Sequence, residues 1–304
     1  MRRMATIISL CTSLLIVPMY LWKVQGWWTE IATQTPKAQV DPTLERPAFS
    51  ALDVKQYVHG IILGTAVSDD TRSIDDIELL ARTDAVELLR QSLLRYKSDV
   101  SSYTCTLAKQ ERLNGKLNAP EVIECWFKEE PYSVMMHWKE GAGLAAASLY
   151  VVGENDGRMC IRLAARAGRL LGIPKSAPEG PEARANTRYF ITEFGIRCGT
   201  ERTYKAWKNL RDAGVTLQTE YLGLRKNVAE AGGRACHVIK RTCSTPEEEG
   251  MTDVTVFIDA ETWFQVGSVL MSDDKMIGSY WFRDIVINPA FEEKQFKPET
   301  LKKY

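Results

Sequence analysis

Of 304 residues, 45% are hydrophobic and 26% charged, which excludes a mostly disordered chain and leaves room for one large domain or two small ones. The 39 basic and 39 acidic side chains cancel, and no dense run of Lys and Arg creates a local field, so nucleic acid is set aside as a partner.

The first predicted element is apolar. Arg2 and Arg3 precede eighteen uncharged residues, Ala5 to Trp22, in the order of the basic and apolar regions of an export signal. As a helix this stretch covers about 27 Å, just under a bilayer core. Residues 1–28 are therefore read either as a signal peptide or as a retained signal anchor. Trp22, Trp27 and Trp28 resemble an interfacial aromatic belt, while Val24 and Gly26 suit cleavage after Gly26. Either fate puts the remaining chain on the periplasmic side of the cell membrane. Of seven cysteines Cys11 falls here, and the other six fit an oxidising compartment as disulfides or, equally, as buried thiols.

Residues 29–72 read as a linker marked by Pro36, Pro42 and Pro47, with a short helix between Ala51 and Leu63. A single domain is expected over 73–304. It opens on Ser73 and Asp76, spaced like a capping box, and continues with apolar Ile77, Leu80, Ala81, Ala85, Leu88, Leu89 and Leu93. This predicts one amphipathic helix, or two broken near Thr83 and Asp84. From Ser102 the period falls to two, and Asn114-Gly115 suits a type I′ turn. A strand through Tyr103, Cys105 and Leu107 is thus expected to return through Val122 to Phe127. Further strands are predicted over 132–138, 147–152, 157–164, 215–224, 234–242, 254–258, 263–272 and 275–287. Pro174, Pro178 and Pro181 mark a loop between the halves, and 202–211 a short helix. One helical segment followed by many antiparallel strands is an α+β pattern.

Lys109 and Glu111 share the face of Tyr103, Cys105 and Leu107, whereas Gln110 and Arg112 share the other. Glu121 or Glu124 on the return strand can pair across with Lys109 or Arg112, and as exposed pairs these fix register and contribute about 0–1 kcal/mol. A polar rim to a ligand cavity and acid–base chemistry at Glu111 are the functional readings of the same cluster. A two-residue loop at Asn114-Gly115 sets Cys105 opposite Glu124. One residue more sets it opposite Cys125, where a cross-strand disulfide can form.

His59, His137 and His237 lie far apart, and the chain has no His-Glu-x-x-His, Cys-x-x-Cys, Gly-x-Ser-x-Gly or Gly-x-x-x-x-Gly-Lys-Ser/Thr motif, so neither metal nor cofactor is expected. Cys236 and His237 are adjacent, and in a strand they point to opposite faces, which argues against a thiol–imidazole pair.

One ordered set of residues spans about 75–300: Tyr103-Thr104-Cys105, Lys109-Gln110-Glu111-Arg112 and Gly115; Pro131-Tyr132-Ser133-Val134 with Trp138; Tyr150 with Gly153-Glu154-Asn155; Arg188-Tyr189-Phe190-Ile191-Thr192-Glu193 with Gly195-Ile196; then Cys236, Ile258-Asp259 and Tyr280 to Asn288. In these the chain resembles a bacterial envelope family built on a domain without assigned function, itself similar to the lipoprotein-carrier fold of the LolA/LppX type. The resemblance implies an α+β fold, a strongly curved antiparallel half-barrel covered by helices, with an apolar cavity between them. It carries no binding residues over to this chain. Phe190 stands where the family usually has Pro.

On this reading the chain is a non-enzymatic exported envelope protein that binds a lipid or another apolar ligand. Trp126, Met136, Trp138 and Trp281 are the expected cavity lining, and Lys109, Glu111, Arg112, Arg188 and Glu193 are motif residues with a structural role. Two alternatives stand beside it. One is a membrane-tethered structural module, solidly packed, with an envelope protein as partner. The other is a hydrolase or transferase with Glu111 or Glu193 as base.

Overall fold

A computed structural model describes residues 76–165 and 172–304. The expected export segment, the linker over 29–72 and the cap at Ser73 lie outside them. The helical segment is broken at the expected place, into α1 (Asp76–Thr83) and α2 (Ala85–Asp99). Asp84 is the break because it caps α2, its carboxylate accepting the Glu87 N–H at 2.9 Å.

Strands β1 (Ser102–Leu113), β2 (Lys116–Leu117), β3 (Glu121–Lys128), β4 (Ser133–Glu140), β5 (Ala145–Val151), β6 (Met159–Leu163) and β7 (Lys175–Ser176) form the first half of the sheet. Helices α3 (Pro181–Asn186) and α4 (Ile196–Asp212) intervene. The second half comprises β8 (Gln218–Val228), β9 (Arg234–Thr242), β10 (Asp253–Asp259), β11 (Gln265–Ser272) and β12 (Lys275–Ile287). All twelve belong to one open sheet in the order β7-β6-β5-β4-β3-β1-β12-β11-β10-β9-β8, with β2 a spur on β1. The architecture is α+β: two antiparallel meanders joined along β1 and β12.

The β1–β3 hairpin combines both registers weighed from the sequence. Its tip is the two-residue turn, Asn114 and Gly115 having φ of 51° and 78°, with Leu113 opposite Lys116. One extra residue is then absorbed before Glu121, and below it Cys105 faces Cys125. The helix-facing side of this hairpin is a ladder of opposed pairs, Tyr103/Phe127, Cys105/Cys125, Leu107/Ile123 and Lys109/Glu121. The aromatic pair is stacked at 4.8 Å between ring centroids.

Residues 187–196 cover that ladder. The Ile196 N–H donates to the Tyr103 hydroxyl at 3.1 Å, and the Tyr132 hydroxyl lies 2.8 and 3.0 Å from the carbonyls of Ile191 and Phe194. Gly195 permits this approach: it has φ of 121°, and a Cβ there would sit 3.0 Å from the Tyr103 hydroxyl. Farther along the same face, Ile77, Val86, Leu88 and Leu89 of α1 and α2 pack with Trp207 of α4 over Ile239, Val254, Val256 and Leu270. α4 is longer than the predicted 202–211 because its buried side includes Thr200, whose hydroxyl donates to the Ile196 carbonyl at 2.8 Å. A polar residue on the inner face hid the helical period.

The other face is covered differently in the two halves. Leu301, Phe296 and Tyr304 of the C-terminal segment pack on Met135, Leu149, Val151 and Trp126. At the far side, the turn between β8 and β9 touches β12, a Cβ at Gly232 falling 3.1 Å from the Arg283 Cβ. β9 and β12 are three strand spacings apart, about 14 Å on a flat sheet, so this half is strongly coiled. Phe257, Val238, Val266 and Trp281 belong to the apolar cluster it encloses.

Asp259 explains why Ile258-Asp259 ends β10 so abruptly. Its buried carboxylate accepts the N–H groups of Glu261 and Thr262 at 3.0 and 2.7 Å and pairs with Arg234 at 2.9 Å. Trp263, expected in a strand, sits in this turn with φ of 66°, its indole under the Arg95 guanidinium at 3.7 Å. Asp259→Asn keeps one acceptor for the turn but loses the charge, and is expected to lower stability by about 1.5–3 kcal/mol in urea denaturation.

Candidate functional site

The charged end of β1 is buried, contrary to the exposed register pairs expected from its composition. Lys109 is 9% exposed and Glu111 2%, because the chain at Thr187 to Tyr189 lies over them. Lys109 Nζ is 2.8 Å from Glu111 Oε2 and 3.2 Å from Glu121 Oε1. Tyr280, opposite Lys109 on β12, donates its hydroxyl to Glu111 Oε1 at 2.8 Å. Trp138 Nε1 donates to Glu121 Oε2 at 2.6 Å, and Thr187 Oγ1 is 3.4 Å from Glu111 Oε2.

Gly278 makes room for this arrangement. It pairs with Glu111, and a Cβ there would lie 2.9 Å from the Tyr280 ring and hydroxyl. Tyr280 therefore folds back over its own strand and reaches the carboxylate. Tyr280→Phe removes one bond to a charged acceptor and is expected to cost about 1.5–3 kcal/mol, read as a lowered melting midpoint.

Burial pushes the Lys109 ammonium towards losing its proton, but Glu111 and Glu121 outweigh it and hold the lysine pKa above its ordinary value. The Tyr280 phenol is pushed well above the usual range by burial first and by the Glu111 charge second. A lysine kept protonated is no nucleophile, and both oxygens of Glu111 are already engaged. Glu193 is committed too: it accepts the Phe190 N–H at 2.9 Å and faces Arg202 at 3.8 Å. Neither carboxylate has a Ser, Cys or His among these partners.

The other motif residues frame the same end. Arg188, 9% exposed, pairs with Glu249, and its buried Nε has no hydrogen-bond partner among the described residues. Tyr189 lies between the Arg202 guanidinium at 3.7 Å and the Tyr280 ring at 5.3 Å. Arg112 stands on the opposite side of β1 and clasps the hairpin, donating to the carbonyls of Met276 and Gly115 at 2.9 and 3.0 Å. Asn288, ending the last motif, accepts the N–H groups of Ser101 and Ser102 at 2.9 and 3.1 Å and so ties β12 to the start of β1.

The four expected lining residues do not share one surface. Met136 faces the helix side, paired with Cys125, and Trp138 reaches Glu121 on that side. Trp126, one residue on from Cys125, points to the opposite face, where Tyr304 meets it at 6.3 Å. Trp281, next to Tyr280, also points away and packs on Phe257 at 4.6 Å. The alternation of a β-strand forces this split. Thr187 and Tyr280 were missed as site residues. The available signal was Gly278, a small residue placed two before a tyrosine in a strand.

Among the described residues no group of three or more His, Cys, Asp or Glu is gathered for a metal, and no helix is long and apolar enough to cross a membrane.

Fold and site together define an open antiparallel α+β sheet protein with an ionic network of one lysine shared by two carboxylates under a short covering segment. A family model described as "Protein of unknown function (DUF1571)" matches residues 100–304, and the chain belongs to that family. Among solved structures it is similar to MucB, at 16% identity and a TM-score of 0.40, over 70% of this chain and 62% of that one. It is similar also to the Mycobacterium tuberculosis lipoprotein LppX, at 14% identity and a TM-score of 0.38, over 68% of this chain and 96% of that one. A putative outer membrane lipoprotein-sorting protein domain from Vibrio parahaemolyticus gives 12% identity and a TM-score of 0.34, over 71% of this chain and 97% of that one. Likeness at this level assigns neither ligand nor activity. No curated protein matches the sequence.

Proposed function

We propose that this chain is a non-enzymatic envelope protein, exported from the cytoplasm, that holds an acyl chain or another apolar ligand on the helix face of its sheet. The observation that carries this reading is the amphipathic layout of the β1–β3 face. An apolar ladder with Met136 beside it runs into a closed polar end at Lys109, Glu111 and Tyr280. The cover over the ladder is the short stretch 187–196, held by two tyrosine hydroxyls and by rings such as Phe194, 5.9 Å from Phe127. A ligand enters by lifting that stretch, and residues 1–28 tether the domain to the membrane or release it after cleavage.

Native mass spectrometry with lipid extraction, on protein purified gently from its own envelope fraction, tests the reading. The expected result is a discrete acyl-bearing adduct, together with uptake of a fluorescent fatty-acid probe that Phe194→Asp abolishes. Folded protein with a clean apo mass and no probe uptake would overturn it and favour the tethered interaction module.

A further inference from the structure

Cys105 and Cys125 stand directly opposite one another on β1 and β3. Directly opposed residues on antiparallel strands have Cα atoms about 4.5–5.5 Å apart, within the span that a disulfide bridges. In the structure both are buried thiols on the helix face, between the Tyr103/Phe127 and Leu107/Ile123 pairs, the Cys125 thiol donating to the Ile123 carbonyl at 3.6 Å. The other described cysteines have no such neighbour across the sheet. Cys160 faces Leu149 and Lys175, and Cys236 faces Arg225 and Asp259. Cys198 lies on α4, and Cys243 follows β9 beside Arg241.

We propose that Cys105 and Cys125 form a cross-strand disulfide when the chain folds in an oxidising compartment, closing the β1–β3 hairpin covalently beneath the 187–196 segment. The co-reactant is a small or protein disulfide. One cysteine thiolate attacks a sulfur of that oxidant, forming a mixed disulfide and expelling one thiol. The second cysteine thiolate then attacks the first cysteine's sulfur and expels the other thiol. Two electrons and two protons pass to the oxidant, which leaves as two thiols. The exchange belongs to the stage before residues 187–196 close, because in the finished fold both sulfurs are covered and burial pushes the Cys105 thiol well above its ordinary pKa.

The test uses the full-length chain, unfolded in guanidinium with dithiothreitol and refolded in parallel with an oxidised/reduced glutathione mixture or with dithiothreitol alone. Each product is denatured without reductant, alkylated with iodoacetamide, digested with trypsin and weighed. The expected result after glutathione is the peptide 98–109 joined to 117–128, two hydrogens lighter than their sum, present in most molecules and lost on reduction. The oxidised form is expected to melt higher than the reduced one, and Cys105→Ala to erase the difference. Alkylation of both peptides after glutathione refolding would overturn the proposal, as would glutathione adducts in their place or a link from either cysteine to another partner. None of these outcomes depends on whether the protein carries a lipid.

Discussion

Lys109→Ala is expected to destabilise the protein by about 3–5 kcal/mol in guanidinium denaturation at neutral pH, because it strands two carboxylates that share one buried cation. The loss is in the partners left behind. Lys109→Met combined with Glu111→Leu removes a charge of each sign, leaves Glu121 bonded to Trp138, and should therefore cost less than Lys109→Ala alone. The dependence on pH has a definite sign. The folded-state pKa of Lys109 lies above its ordinary value, so the stabilisation is fully present below the unfolded pKa of about 10.4 and is lost as pH rises through the folded one. The gap in stability between wild type and variant should stay constant across neutral pH and narrow only in strong alkali. A gap that instead closed on approach to neutrality would show that the ammonium is not held by its carboxylates.

Gly267→Ala is the second large effect, expected at about 3 kcal/mol, the upper end of overpacking penalties. Gly267 pairs with Trp281, and a Cβ there would lie 2.4 Å from two carbons of the indole ring. The ring has nowhere to go, being 4% exposed and packed against Phe257. Trp281→Leu in the same chain frees the space. The double variant should therefore be more stable than the two single losses added together. Urea denaturation of all four proteins measures that coupling, and a Gly267→Ala chain as stable as wild type would refute the packing account.

Much of the sheet was legible because its signals are local. β9 and β12 fall on the predicted 234–242 and 275–287, where branched and aromatic residues alternate between turn residues. Asp84 and Asn114-Gly115 each announced a break or a turn through side-chain and backbone chemistry confined to a few residues. The candidate site was legible only in part. The pairing of Lys109 with Glu111 and Glu121 followed from alternation within one hairpin, but its burial depends on Thr187 and Tyr280, brought in by chain many residues away. The same limit explains the lining residues. Trp126 and Trp281 look like their neighbours Cys125 and Tyr280 in hydrophobicity, and only strand parity sends them to the other face.

The sheet order has a consequence for how the molecule is made. Each meander pairs strands that are near neighbours along the chain, whereas β1 and β12 meet across most of the domain. Until β12 arrives, β1 keeps one bare edge next to the hairpin it has already formed, and Asn288 is not yet in place to hold the start of that strand. Closing so long a loop is the slow, entropically costly event in a topology of this kind, and it can occur only after nearly the whole chain has emerged. An unpaired β1 is also an edge open to other chains, so the interval before closure is when the protein most needs to be kept apart from its copies.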